Sequence, residues 1–140
     1  MAEAGRSTHS ARPEFRNLGV GDLASYRFPP GAIVSVLHRA SGVLMFVLGI
    51  PFVLYLFQNS LTSEISFERY RSVVASWPGK LVLLILIWAF VHHVLAGIRH
   101  FGLDLHLMGE REQNALTARI VLGLSVVVTL VCALLLFGLL

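Results

Sequence analysis

Three uncharged runs constrain this chain more than any other feature. Between Arg39 and Glu64 lie 24 residues without a charge, between Lys80 and Arg99 lie 18, and after Arg119 lie 21. A helix rises about 1.5 Å per residue, so about 20 mostly apolar residues cross the hydrocarbon core of a bilayer. Three such runs predict an all-α membrane protein with three transmembrane helices in a bundle. Composition agrees: 56% of the 140 residues are hydrophobic and 14% charged, against about 25% charge in an ordinary soluble domain. A soluble enzyme and a secreted disulfide scaffold are excluded, and the chain is too short for a large transporter. The one cysteine, Cys132, lies in the third apolar run, where a packed thiol is the expectation.

Residues 1–28 read as a polar N-terminal tail, with Arg6, Arg12 and Arg16 among Glu3, Glu14 and Asp22. No apolar core follows those arginines, so a signal peptide is not expected, and the acids argue against a mitochondrial presequence. Pro29 and Pro30 suit a helix start, giving a first helix to about Phe57, with Pro51 expected to kink it. The segment from Gln58 to Gly79 is polar, but Phe67, Tyr70, Val73 and Val74 recur at helical spacing and suggest a short interfacial helix. Pro78 opens a second helix to about His106. A connection over Gly109–Asn114 leads to a third, about Leu116 to Leu140. The membrane domain is thus 29–140, with spans near 32–57, 81–105 and 117–140.

The 11 lysines and arginines, for a net charge of +3, form no basic cluster interleaved with aromatics, so nucleic acid is not expected as a partner. They sort by loop instead. Tail and second loop together hold eight (Arg6, Arg12, Arg16, Arg27, Arg39, Arg99, Arg111, Arg119) against three in the first loop (Arg69, Arg71, Lys80). The positive-inside tendency then places the N-terminus in the cytoplasm, or in the matrix of an organelle.

Polar groups are expensive in hydrocarbon and mark function when a span carries them. Two clusters do. In Ser35-Val36-Leu37-His38-Arg39-Ala40-Ser41-Gly42, taking Ser35 as zero, helical geometry puts Gly31 at about −40°, His38 at about −60°, Arg39 at about +40° and Gly42 at about −20°. In His92 to Asp104, with His93 as zero, Gly97 falls at about +40°, His100 at about −20° and Asp104 at about +20°. A histidine four residues from a glycine can offer its imidazole to a flat metal macrocycle, the glycine letting the ring lie close to the backbone.

Each cluster also has a plainer interpretation. Arg39 and Arg99 can end spans as snorkelling charges, His100 and His106 lie near the interface, and His92 is turned about 100° from His93, toward packing or hydrogen bonding. His93 sits about 9 Å inward of Arg99, where a buried imidazole needs a partner and a metal is a common one. His93 and His100 are about 10.5 Å apart along the axis, too far to clamp one iron. If a six-coordinate haem is bound, its second axial ligand is expected from another polypeptide. His38, expected nearer the level of Arg99 than of His93, suits, with Arg39, anionic haem propionates better than the iron.

Both clusters resemble signatures of one family. Ser35-x-x-His38-Arg39-x-Ser41-Gly42 is similar to S-x-x-H-R-x-[ST]-G, and His93-x-x-x-Gly97-x-Arg99-His100-x-x-x-Asp104 to H-x-x-x-G-x-R-H-x-x-x-D. These belong to the cytochrome b556 subunits of succinate dehydrogenase, the larger haem-binding anchors of respiratory complex II. The resemblance runs from about Tyr26 to the C-terminus. It implies haem b shared with a second, smaller anchor subunit, with His93 as the axial iron ligand and Gly97 and His100 beside the haem. It also implies His38 and Arg39 near the propionates, and Ser35 and Arg39 lining a quinone pocket. An iron–sulfur subunit and a flavoprotein subunit complete such a complex, in the bacterial cytoplasmic membrane ahead of the mitochondrial inner membrane.

The chemistry is compatible with these assignments. A quinone taking up electrons develops negative charge on its oxygens and needs hydrogen-bond donors there; Ser35 carries a hydroxyl and Arg39 a permanent charge. Two other readings stay open: an anchor of a quinol–fumarate reductase, and a structural or transport subunit whose polar faces bind another helix or an ion. A histidine-box di-iron enzyme does not fit, because His92, His93, His100 and His106 form no repeated H-x-x-H-H boxes.

Overall fold

The structure, a computed structural model, describes residues 19, 21, 26–107 and 111–139. Among these the chain forms four helices: α1 Pro30–Thr62, α2 Glu64–Ala75, α3 Trp77–Asp104 and α4 Arg111–Phe137. Three of them, α1, α3 and α4, are long and apolar enough to cross a membrane. The tail as far as Leu18 and residues 108–110 lie outside the described residues.

Local chemistry sets the helix ends. Pro29, extended at φ −65° and ψ 153°, caps α1, with Pro30 at its first position, where a missing N–H costs nothing. The helix then runs five residues beyond the expected end at Phe57. It is interrupted by a π segment, Met45–Gly49, in which the Ile50 N–H reaches the Met45 carbonyl. Pro51 follows directly; it has no N–H to give Val47, and the wider turn lies where the ordinary ladder fails. Beyond that point α1 leaves α3, and an apolar cleft of about 500 Å³ opens between Met45–Leu56 and Leu83–Phe90.

Ser63 ends α1 and starts α2. Its extended backbone (φ −168°) breaks the helix, its hydroxyl accepts from the Ser66 N–H at 3.2 Å, and the Ser66 hydroxyl accepts from the Ser63 N–H at 3.0 Å. This reciprocal box satisfies two otherwise orphaned donors. The Phe67–Tyr70–Val73 periodicity thus does mark a helix. Ser76 repeats the device one helix later, donating to the Val73 carbonyl (2.6 Å) while accepting from the Gly79 N–H (3.2 Å). Gly79 is buried there, and a Cβ would run into the Val73 carbonyl oxygen.

Helix α3 closes with His106 at φ 58° and a Leu107 N–H to Gly102 carbonyl bond of 3.0 Å, a C-terminal motif that glycine usually fills. Helix α4 ends the same way with Gly138 at φ 71°. It starts at Arg111, five residues before the position expected from the apolar run, because Glu112, Gln113 and Asn114 continue the helix as a polar first turn.

The bundle core is made of small residues. Val34, Ala96 and Ala118 are fully buried where α1, α3 and α4 meet, as suits helices that associate in lipid by close backbone approach. The largest fully buried side chain is His92. Large apolar side chains face outward instead: Phe46 is 71% exposed, Phe101 65% and Leu135 61%. Water would make this arrangement costly; hydrocarbon makes it free. At one end of the bundle Lys80 Nζ lies 5.4 Å from the Phe137 ring and Trp77 stacks obliquely on it at 5.7 Å, an interfacial pairing of aromatic and cation.

Candidate functional site

The two polar clusters meet across the α1–α3 contact. Glycine permits the approach from the α1 side: a Cβ on Gly42 would lie 3.0 Å from Cε1 of His93, tighter than side chains ordinarily tolerate. On the α3 side, the space over Gly97 holds Nε2 of His38, 3.6 Å from where its Cβ would be. The His38 and His93 rings stack with centroids 4.1 Å apart and planes 21° from parallel, and His100 lies 5.2 Å from His38 on the other side. His38 thus contacts both α3 histidines, with its Nε2 over Gly97 between the levels of His93 and Arg99. The glycine pair lets α1 and α3 pack closely enough to bring the rings together, a depth that helical rise along one helix alone does not fix.

His93 is held by one turn of α1. Its Nδ1 lies 3.0 Å from the His38 carbonyl oxygen and 3.2 Å from the Ser41 hydroxyl. A carbonyl can only accept, so Nδ1 carries the proton and donates it. Nε2 then holds the lone pair, and it makes no hydrogen bond among the described residues. A histidine tied by Nδ1–H to a main-chain carbonyl with Nε2 left over is the usual arrangement of a metal ligand.

The neighbouring histidine is built differently. His92 is fully buried, its Nδ1 3.2 Å from the Ser125 hydroxyl of α4 and its ring stacked on Trp88 at 5.6 Å. Its Nε2 is enclosed without a hydrogen bond of ordinary geometry, near the backbone of Val34. His92 joins α3 to α4, as the 100° offset from His93 suggests.

Arg99 does not end a span as a snorkelling charge, nor does it join His93. It is 3% exposed, turned to α4, where Nε donates to the Thr117 hydroxyl (3.2 Å) and Nη2 to the carbonyl (3.1 Å) and side-chain oxygen of Asn114. No carboxylate pairs with it among the described residues. Asn114 and Thr117 escape a reading of the sequence because they lie at the polar start of α4, and only the bundle brings them to Arg99. Ser41 is half of a similar omission: it stands in the first cluster, but on helical spacing it points away from the Ser35–Gly42 face.

Ser35 is half-buried, Arg39 exposed and His100 half-buried. His100 also borders a cleft of about 320 Å³ with Pro29, Gly31, Arg99, Leu103 and Asn114. Asp104 and His106 are exposed at the end of α3.

Comparison with known proteins shows the family. Residues 12–132 match the family model described as the succinate dehydrogenase/fumarate reductase transmembrane subunit. A relative from Coxiella burnetii, named succinate dehydrogenase cytochrome b556 subunit, is 34% identical over 106 residues, covering 74% of this chain and 83% of the relative. One of the same name from Paracoccus denitrificans is 30% identical over 129 residues, covering 88% and 92%. With three membrane-length helices and both polar signatures in place, the chain belongs to the succinate dehydrogenase/fumarate reductase transmembrane subunit family.

Proposed function

We propose that this chain is the larger membrane anchor of a succinate:quinone oxidoreductase, holding haem b with a second, smaller anchor subunit and helping to form the quinone site. Both relatives carry the succinate dehydrogenase name, which favours the succinate direction over fumarate reduction. The observation that carries the haem assignment is the His93 imidazole, with Nδ1–H given to the His38 carbonyl and Nε2 free. Haem b, when bound, supplies a one-electron redox centre. His93 fits as its axial ligand. His38 lies against the His93 ring and His100 lies 5.2 Å from His38, and exposed Arg39 offers a cation to propionates. The other axial ligand would come from the partner anchor, because His100 stands about 10.5 Å from His93 along α3 and His38 stacks on the His93 ring.

Quinone reduction needs proton donors and positive charge at the carbonyl oxygens. Ser35 offers a hydroxyl and Arg39 its guanidinium, both from the start of α1, and the iron–sulfur subunit and small anchor close the pocket around them. Electrons come from a flavoprotein subunit through the iron–sulfur subunit. The eight-to-three distribution of basic residues supports an N-terminus on the cytoplasmic side of a bacterial inner membrane.

The test is a reduced-minus-oxidised visible spectrum of the purified complex. A b-type band that disappears in His93→Ala but persists in His92→Leu is expected; a band unchanged in His93→Ala overturns the ligand assignment. Ser35→Ala and Arg39→Leu slow quinone reduction at least tenfold, about 1.4 kcal/mol in the barrier, with succinate oxidation by a soluble acceptor retained. Equal loss of both activities contradicts the quinone assignment.

A further inference from the structure

Ser41 is fully buried and its hydroxyl has one proton to place. That proton goes to the His38 carbonyl, 2.8 Å away. The hydroxyl oxygen then faces Nδ1 of His93 at 3.2 Å with only lone pairs to offer. The Nδ1–H therefore falls between two acceptors, the His38 carbonyl at 3.0 Å and the Ser41 hydroxyl. One acceptor would leave the ring free to pivot about the bond; two fix its plane. The backbone of Gly42, against Cε1, closes the third side. A carbonyl, a hydroxyl and a missing methyl, all within one turn of α1, hold a ring that belongs to α3.

We infer that Ser41 is a positioning residue for His93, fixing its tautomer and ring plane and thereby setting the electron donation of Nε2. The inference rests on the reading of His93 as haem ligand. Outer partners of a ligating imidazole raise its basicity through the N–H they accept. Removing the Ser41 hydroxyl takes away one acceptor, makes the ring a weaker donor and destabilises the ferric state, so the haem potential rises.

The experiment uses the whole complex carrying Ser41→Ala or Ser41→Thr, with haem content, midpoint potential and the low-field electron paramagnetic resonance signal of the ferric haem measured on each. That signal depends on the relative planes of the two axial ligands and does not report activity. Ser41→Ala is expected to shift the signal and to raise the ferrous-to-ferric ratio at fixed potential about threefold, ~28 mV at 59 mV per tenfold. Ser41→Thr, which keeps the hydroxyl, restores both. Wild-type signal and potential in Ser41→Ala overturn the inference, as does a shift in Ser41→Thr equal to that in alanine. Should Ser41→Ala not assemble, Ser41→Cys keeps the shape with a weaker acceptor: a shift of the same sign supports the inference and wild-type values overturn it. Haem retained in His93→Ala sinks the ligand assignment itself, which is a separate failure.

Discussion

At the scale of single residues, the buried polar groups divide into those that face outward chemistry and those that fasten the bundle. Arg99 belongs to the second kind. Of its signature companions on α3, His93 and Asp104 lie on another side of the helix, and its guanidinium donates to α4 through Asn114 and Thr117. Hydrogen bonds to a charged donor contribute about 1.5–3 kcal/mol each. Arg99→Ala therefore lowers the stability of the detergent-solubilised complex by about 3 kcal/mol, read as a fall in thermal midpoint. Arg99→Lys recovers little, because one ammonium cannot reproduce the planar fork. A thermal midpoint unchanged in Arg99→Ala would refute this role.

At the scale of elements, the polar segment between the first two spans is ordered by serines and one glycine. Ser63 and Ser76 each terminate one helix and cap the next, so α2 is held at both ends by side-chain to backbone bonds. Gly79 is the tightest point, since a Cβ meets the Val73 carbonyl oxygen, a rigid backbone atom. Gly79→Ala is expected to destabilise the α2–α3 junction by about 1–3 kcal/mol, the usual range for overpacking. Limited proteolysis between Ser63 and Ser76 is the measurement: faster cleavage than wild type bears the prediction out, and equal rates count against it. The sequence marks this junction through Pro78-Gly79 but does not reveal why glycine is needed, because the clash is with the end of a preceding helix.

At the scale of the whole molecule, the inverted distribution of side chains is the main energetic fact. Alanine, serine, two valines, His92 and Arg99 fill the interior while phenylalanine and leucine cover the outside, an arrangement stable only where the surroundings are themselves apolar. Three membrane crossings predict that residues before α1 and after α3 face one side and α2 the other. Single cysteines placed at Ser7, Ser66 and Leu107 in a Cys132→Ser background test this. A membrane-impermeant maleimide is expected to label Ser7→Cys and Leu107→Cys from the cytoplasmic face and Ser66→Cys from the opposite one. Labelling of all three from one face contradicts it.

What the sequence by itself determined follows from one-dimensional spacing. Uncharged runs about as long as a bilayer is thick established three apolar helices, the prolines marked where two of them begin, and 100° steps separated His92 from His93. Tertiary structure alone decided what those faces meet. Which depth of α1 pairs with which depth of α3 depends on how closely two backbones approach. Here Gly42 and Gly97 allow an approach that stacks His38 on His93. The same holds for the partners of Arg99 and for the Ser41 contact with His93. In each, the interacting groups sit on different helices, and no period along one helix encodes the rotation of its neighbour.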